Sequence, residues 1–223
     1  MKSAMKLVAR TSLSVGAATR FGFMLGATLL AGCAGLIDKP VQRTLYDFGP
    51  GATTAAARQA TLPPVVLSEV DAAGALDGFS VLYRLGYADA NQLRPYAQAR
   101  WSAPPPQLVR QRLREILGRD RVVLNLGEAA SLAREGSTLP RVLRIELEEF
   151  SHVFDSPAQS FGLVRLRVTL LENTAAGEKL LAQKSVIARE PAPSADAPGG
   201  VRALTAATDA AAADIGQWLQ QIR

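Results

Sequence analysis

The chain has one cysteine and one histidine among its 223 residues, and these shortages exclude most kinds of chemical site. A single cysteine cannot form the disulfide framework of a small secreted domain. The one histidine, His152, lies in the segment SHVFDSP, next to Ser151. Neighbouring side chains of an extended segment point to opposite sides, so these two residues are not expected to form a nucleophile–base pair. We expect His152 to cap a turn in a loop.

Recognisable catalytic and ligand-binding motifs are missing as well. There is no G-x-S-x-G turn, and the segments GRDRVV and DAPGG lack the spacing and the lysine of a phosphate-binding loop. A metal site would depend on scattered carboxylates, and we interpret Glu146, Glu148 and Glu149 as solvated. The sequence therefore predicts a protein that is not an enzyme and has no cofactor or metal apart from any covalent lipid.

Net charge is small outside the first 32 residues. The chain has 25 lysine and arginine residues against 20 acidic residues, a formal charge of +5. Four of the basic residues, Lys2, Lys6, Arg10 and Arg20, lie in the first 32 residues, which contain no acid. The remainder therefore has 21 basic and 20 acidic residues, a balance of +1. Such a domain lacks the basic surface that nucleic-acid binding requires, and we exclude that function.

The N-terminal segment has the organisation of a secretory signal peptide. Its basic residues precede the apolar run FGFMLGATLLAG, which covers residues 21–32. This run is too short to span a bilayer, which takes about 20 residues. The four residues that end at Cys33, LAGC, match the bacterial lipobox. That resemblance implies removal of residues 1–32, transfer of diacylglycerol to the Cys33 sulfur, and acylation of the new N-terminus, for example with palmitate.

Lipidation of Cys33 would decide where the protein works. One acyl chain gives only marginal membrane binding, whereas three chains on one residue should anchor it permanently. Ala34 follows the cysteine, and resemblance to lipoprotein sorting in two-membrane bacteria then favours the periplasmic face of the outer membrane over inner-membrane retention. Residues 33–41 are predicted to form a short tether. The alternative is an unmodified, buried cysteine that follows an ordinary signal peptide.

Residues 42–223 are predicted to form a single domain. The segment RTLYDFG predicts a short strand with Tyr46 and Phe48 as its apolar residues, and residues 49–64 lack periodicity and predict a loop. Residues 80–88 and 92–101 predict a hairpin. Its first strand would place alternate apolar residues on one face: Val81, Tyr83, Leu85 and Tyr87. Pro95 lacks an N–H group, which predicts an edge or a bulge in the second strand.

Two helices are predicted. Prolines at 104–106 and Gly118 delimit the first, at residues 102–118, with Arg110, Arg112 and Arg114 on its polar side. We interpret these arginines as a solvated face, the alternative being a surface for anionic headgroups. The second helix, at about residues 200–222, has a heptad-spaced stripe: Val201, Leu204, Thr208, Ala211, Ile215, Trp218 and Ile222. This stripe would lie on a sheet, or would also meet a neighbouring subunit in a homo-oligomer.

Further strands are predicted at residues 65–70, 121–126, 141–150, 163–172 and 180–188. The strands 141–150 and 163–172 alternate apolar and charged residues, so antiparallel pairing would place acidic residues opposite arginines. Together with the helices, these elements predict an α+β fold in which two main helices pack on one face of a mostly antiparallel sheet.

Two segments resemble a known family. The strand VLYR, residues 81–84, is followed after a short gap by NQLRPYAQARWSAPPPQLVRQRLREIL, residues 91–117. With the lipobox in front, this combination resembles the ABC-type transport auxiliary lipoprotein family, which includes the paraquat-inducible protein C lipoproteins. The resemblance implies an ABC ATPase, a permease and periplasmic MCE-domain (mammalian cell entry) proteins as partners. It further implies that the lipoprotein docks the MCE assembly at the outer membrane and aids lipid traffic and membrane integrity.

A partner-facing edge is our hypothesis for the site. Aromatic residues and arginines are enriched at protein interfaces, and five candidates combine them: Tyr83, Arg84, Tyr96, Arg100 and Trp101. The alternative places Tyr83 and Trp101 in the core and the arginines in salt bridges. Two other functions stay open, a stand-alone carrier of hydrophobic ligands and a general envelope-assembly lipoprotein.

Overall fold

The computed structural model describes residues 42–51, 61–72, 74–134 and 139–222. The predicted signal peptide, the predicted lipidation site Cys33 and the predicted tether all lie outside these residues. The strands in the described ranges are β1 Thr44–Tyr46, β2 Leu62–Ala72, β3 Ser80–Leu85, β4 Ala90–Trp101, β5 Arg121–Leu124, β6 Arg141–Phe154, β7 Ser160–Thr174 and β8 Gly177–Pro191. The helices are α1 Gly86–Asp89, α2 Pro105–Leu117, α3 Leu126–Arg134 and α4 Ala197–Gln221. None of these helices combines the length and the apolar character that a bilayer span requires.

Strand β6 lies at the centre of the sheet. β7 pairs with it along one edge from Val142 to Phe154, and β8 pairs with the outer side of β7. The other edge of β6 is shared, because β2 pairs with residues 141–147 and β3 pairs with residues 152–154. β5 lies beyond β2, and β4 and then β1 lie beyond β3. The two halves of β6 therefore have different neighbours.

The prediction of a mostly antiparallel sheet is wrong, although the α+β class is confirmed. Four of the seven strand pairings in the described part of the chain are parallel: β1–β4, β2–β5, β2–β6 and β3–β6. The three antiparallel pairings join strands that follow each other in sequence, β3–β4, β6–β7 and β7–β8. Hairpins leave a local signal, whereas a parallel pairing joins strands separated by a long crossover. Strand patterns therefore indicated only the antiparallel pairings.

The longest predicted strands have the expected faces. In the first half of β6, Leu143, Ile145 and Leu147 are buried, and they alternate with exposed charged residues. Glu146 stands opposite Arg167 of β7, and their side chains form an ion pair of 3.7 Å. The predicted acid–arginine pairing across this hairpin is confirmed.

The two long helices pack against each other and against one face of the sheet. α2 begins with its prolines in the first turn, and the N–H of Gly118 closes its end by donating to the Arg114 carbonyl at 2.9 Å. α4 begins after Asp196, whose side chain accepts the N–H of Gly199 at 2.8 Å. Most of the predicted stripe of α4 is buried: Val201, Leu204, Thr208, Ala211 and Ile215. The stripe is therefore used on this chain's own sheet, and a neighbouring subunit would have to meet another surface.

A smaller apolar cluster covers part of the opposite face. Val66, Val142 and Leu171 point away from the main core, since their sequence neighbours point into it. Ala129 of α3 packs on them. The sheet thus has helices on both faces, with the two long helices on one side.

Two local predictions need correction. The loop predicted over 49–64 ends earlier, because β2 begins at Leu62 and includes Pro63 and Pro64. The prolines are tolerated because the register with β5 shifts between Leu62 and Val65, where pairing is interrupted. In the hairpin, Val81 and Leu82 are both buried, and Tyr87 lies half exposed in α1. The chain turns into this short helix after Leu85, so the predicted alternation stops there.

Candidate functional site

A wide bulge shapes the predicted β3–β4 hairpin. Ser80 pairs with Arg100, but Leu82 pairs with Pro95, so one residue of β3 faces four residues of β4. Pro95 lies at the start of this bulge, and the sequence predicted an edge or a bulge at this proline. Proline is tolerated at such positions because it lacks the N–H group that a regular ladder requires. The bulge covers residues 96–99 and carries Tyr96 out of the regular strand.

Tyr83 and Tyr96 lie together on this hairpin. Their ring centroids are 4.6 Å apart, and the Tyr96 hydroxyl lies 2.9 Å from Nδ1 of His152 on β6. Phe154 packs against both Tyr83 and His152. Burial, with smaller effects of Tyr83 and Asp196, raises the pKa of the Tyr96 phenol. The aromatic cluster therefore fixes the Tyr96 ring on one side while its edge remains at the surface.

His152 does not cap a turn, and that prediction is wrong. It lies in β6, is fully buried, and packs so closely on α4 that a Cβ on Gly200 would overlap its ring. A bulge at Glu148 shifts the alternation of β6 by one residue, so the inward side chains become Phe150, His152 and Phe154. Burial lowers the pKa of His152 to about 4, and the nearby Asp196 opposes this only in part. The ring is neutral at pH 7, and within the described residues its Nε2 has no hydrogen-bond partner.

Arg84 links three strands. Its guanidinium forms an ion pair with Glu149 of β6 at 3.0 Å and also donates to the Ala90 carbonyl, at the start of β4, at 3.2 Å. Both side chains are mostly buried, with 21% and 12% of their surfaces exposed. Glu149 is thus not the solvated residue that the sequence suggested. Arg84 holds the hairpin against β6 and presents little of its charge to a partner.

Arg100 and Trp101 support the hairpin from within. Arg100 donates to the carbonyls of Tyr96 and Ala99, at 2.6 and 2.8 Å, and so stabilises the bulge. Trp101 is fully buried between Phe48 and Phe150, with both ring-centroid distances at 5.6 Å. Of the five predicted residues, the structure brings Tyr83 and Tyr96 together, while Trp101 can act only as a support.

An open strand edge and a groove adjoin this cluster. β1 covers β4 only from Ala99 to Trp101, so residues 90–98 of β4 have no strand partner on their outer side among the described residues. Beside them is a groove of about 340 Å³ between the bulge, β1 and the start of α4. It is lined by Thr44, Tyr46, Tyr96, Ala97, Gln98, Ala99, Ala197 and Pro198. We call residues 90–98 of β4 and this groove the hairpin edge.

The polar face of α2 is a poorer candidate for binding. Arg110 pairs with Glu69 at 3.1 Å, Arg114 lies 3.6 Å from Glu128, and Arg112 donates to Asp209 of α4 at 2.8 Å. Each of these cations already has a carboxylate of the same chain. They connect α2 to β2, α3 and α4, which does not favour the headgroup alternative.

The sequence did not reveal three parts of this site. Glu149 and His152 were missed because a bulge between two adjacent glutamates gives no periodic signal. The groove walls from β1 and α4 are more than 100 residues apart in sequence. Only the Tyr-Arg and Arg-Trp pairs of the hairpin gave a usable signal.

Comparison with known proteins agrees with this fold. Residues 45–216 match a family described as the ABC-type transport auxiliary lipoprotein component. No curated protein matches the chain. The fold is similar to that of a DUF330 protein from Xanthomonas campestris, with a TM-score of 0.64, 16% identity, and coverage of 80% of this chain and 97% of that one. An uncharacterized protein gives a TM-score of 0.56 at 15% identity, with coverage of 80% and 99%.

A more distant structure is an oligomer. The PelC dodecamer from Paraburkholderia phytofirmans has a TM-score of 0.41 and 10% identity, with coverage of 73% of this chain and 91% of that one. At such identities the structural similarities show a shared fold alone, and the last of them is too distant to support an argument about assembly.

Proposed function

This chain belongs to the ABC-type transport auxiliary lipoprotein family, and we propose that it serves an MCE-type ABC transport system. In this proposal Cys33 carries diacylglycerol and an acyl chain that anchor the protein to the periplasmic face of the outer membrane. The domain docks the periplasmic MCE-domain protein and aids lipid traffic between the two membranes. It works by binding, in keeping with the auxiliary role in transport that describes the family.

The observation that carries the docking proposal is the hairpin edge. Exposed strand edges tend to pair with other chains, and proteins usually cover or shorten them. Within the described ranges, no strand pairs with the outer side of residues 90–98, which make up most of β4. An extended partner segment can add to such an edge through its backbone and place side chains in an adjoining groove. The groove beside Tyr96 and Ala97 offers that second contact.

The rigid surroundings of this edge support the same proposal. Tyr96 is held by Tyr83 and His152, and the bulge is held by Arg100. A surface that is already ordered loses little conformational entropy when a partner binds. The buried ion pair between Arg84 and Glu149 also holds this edge in place. Neither of these two residues therefore needs to contact the MCE protein.

Affinity purification tests the proposal. The full-length, lipidated protein would be recovered from gently solubilised envelopes, and co-purifying proteins would be identified. Ala97 is exposed and lines the groove, so Ala97→Arg should fill the groove without disturbing the core. We expect the unaltered protein to recover an MCE-domain protein and Ala97→Arg to lose most of it.

The matched control is Ser185→Arg, which adds the same charge at an exposed position of β8, the edge strand at another border of the sheet. It should recover the MCE-domain protein as the unaltered chain does. Equal recovery by a normally folded Ala97→Arg variant would contradict docking at the hairpin edge. Purification of the chain alone would favour the stand-alone carrier, and recovery of assembly factors instead would favour the envelope-assembly role.

A further inference from the structure

Arg121, the first residue of β5, is a buried cation without a partner in the described part of the chain. Only 6% of its surface is exposed. Among the described residues, neither an ion pair nor a hydrogen bond joins its guanidinium to another residue, and the nearest acidic influence is the charge of Asp120. Arg84 and Arg112, by contrast, each contact a carboxylate directly.

An unpaired buried charge is costly, because the protein interior does not replace its hydration. Burial lowers the pKa of Arg121, and the charge of the neighbouring Asp120 offsets this only in part. A guanidinium nevertheless stays protonated in proteins under ordinary conditions. An anion bound close to Arg121 would therefore stabilise its charge.

Two adjoining cavities provide room for that anion. The first, of about 140 Å³, lies between the start of β2 and the end of α4, and Arg141 lines it together with Arg121. The second, of about 230 Å³, has Arg121, Arg119 and Gln217 among its polar lining residues. Arg121 is common to both cavities, and each cavity has one further arginine in its lining. Asp120 is an acidic group in the lining of the second cavity, and the first has none.

The remaining walls of the first cavity are mainly apolar. They are formed by Leu62, Pro63, Pro64, Val65, Leu170, Leu219 and Ile222, with Gln220 as an additional polar residue. Arg141 donates to the Ile222 carbonyl at a long 3.4 Å, which leaves most of its guanidinium donors uncommitted. Two arginines that line one cavity beside an apolar wall suit a phosphate group that is attached to an apolar moiety.

We propose that Arg121 and Arg141 form a binding site for a phosphate group at this end of the sheet. The group is the headgroup phosphate of a lipid or a free phosphate ion. The fork of Arg121 contacts the phosphate oxygens, Arg141 contributes a second set of donors, and Arg119 adds charge from the neighbouring cavity. The site does not involve the hairpin edge, and it stands or falls independently of docking to an MCE-domain protein.

Isothermal titration of the full-length protein in detergent tests this site. One arm titrates inorganic phosphate, and the other titrates a short-chain phosphatidylglycerol below its micellar concentration. Ionic strength is kept constant with sodium chloride. Tighter binding of phosphatidylglycerol than of phosphate identifies a lipid headgroup site, and binding of phosphate alone identifies a free-phosphate site. Absence of binding in both arms would overturn the proposal.

Three variants make the test specific. Arg121→Met removes the charge at similar length and should weaken binding at least about tenfold, because a charge-assisted hydrogen bond is lost. Arg121→Lys keeps the charge but loses the fork, and should weaken binding less. Arg114→Met removes the same charge from an exposed position on α2 and should bind as the unaltered protein does. Equal losses in Arg121→Met and Arg114→Met would show a general charge effect and overturn the proposal.

Thermal unfolding provides a second measurement. Without ligand, Arg121→Met should unfold at the same temperature as the unaltered protein or at a higher one, since a desolvated charge is gone. Added phosphate or phosphatidylglycerol should raise the midpoint of the unaltered protein and leave that of Arg121→Met unchanged. An equal rise in both proteins would count against the site.

Discussion

Strand β6 has two halves that differ in what they bury and in what they pair with. In the first half, Arg141–Leu147, aliphatic side chains face the long helices and charged side chains face outward. In the second half, from Glu149 to Phe154, the inward residues are two phenylalanines and the neutral His152. The bulge at Glu148 separates the halves. One strand thus contributes to an ordinary apolar core and to a polar, aromatic layer.

The difference corresponds to the neighbours of each half. The first half pairs with β2 on one side and β7 on the other, in the interior of the sheet. The second half pairs with β3, which carries the β3–β4 hairpin and its open edge. The extra residue turns an acidic side chain, Glu149, toward Arg84 and a histidine toward Tyr96. The one-residue shift in β6 therefore positions Glu149 and His152 to contact Arg84 and Tyr96 of the hairpin.

The largest effect on the free energy of unfolding is expected for substitutions in the first, apolar half of β6. Ile145→Ala removes a fully buried side chain and should lower the free energy of unfolding by about 2–5 kcal/mol, through lost burial and a remaining cavity. Arg144→Ala, at the next position and on the exposed face, should change it by less than about 1 kcal/mol. Urea denaturation measures both. Similar losses in the two variants would show that the faces of this half are not as assigned.

The next effect concerns the contact of α4 with the second half. Gly200→Ala would place Cβ within 2.6 Å of Cγ of His152, and this overlap should destabilise the fold by about 1–3 kcal/mol. In the same helix, Gly216→Ala meets only an ordinary contact of 3.5 Å with Leu117. That control should stabilise the fold by about 0.5–1 kcal/mol, because alanine favours a helix more than glycine does. Stabilisation by both variants would contradict close packing on His152.

His152, in the second half of β6, is expected to make the stability of the fold depend on pH. The first half of β6 has no group that would do so in this range. Its pKa is about 4 in the fold and about 6.5 in the unfolded chain, so only the unfolded chain takes up a proton between these values. Stability should therefore be constant with respect to this group above pH 6.5 and should fall as the pH decreases from 6.5 to 4. Between pH 7 and pH 5 the loss should be about 2 kcal/mol.

The chain has no other histidine, so one substitution isolates this contribution. In His152→Phe, the free energy of unfolding, from denaturant titrations at pH 7, 6 and 5, should lose most of its slope. The absolute stability of that variant also changes, because Tyr96 loses its hydrogen bond, but the slope is unaffected by that loss. An unchanged slope would mean that His152 is not the titrating group.

The smallest effect is expected on the exposed face of the first half. Glu146→Gln breaks an ion pair of 3.7 Å between side chains that are about half exposed. Such pairs contribute about 0–1 kcal/mol, and salt screens them. The variant should unfold within about 0.5 kcal/mol of the unaltered protein, and 1 M sodium chloride should remove the difference. A larger, salt-insensitive loss would indicate that this face is covered rather than solvated.

Local patterns predicted the elements that form within short stretches of sequence. The alternation of residues 141–150 and 163–172 predicted their pairing, and prolines with Gly118 predicted α2. The bulge at Glu148 was not predictable, because adjacent glutamates fit either face of a strand. The burial of His152 depends on that bulge and on Gly200, which is far away in sequence. The candidate site was therefore predicted at the hairpin, but Glu149 and His152, which support the hairpin from β6, were not predicted.

Sequence patterns were sufficient to identify the lipobox at Cys33, the nearly neutral domain, the hairpins, the two long helices and the resemblance to a family. Each of these depends on residues that are close together in the chain, where period, capping and composition act directly. The parallel pairings around β6, the partner of Arg84, and the burial of Arg121 away from any carboxylate partner in the described part of the chain depend on the tertiary structure alone. These depend on segments that meet only after folding, because no local pattern records which distant strand or helix will lie beside a given residue.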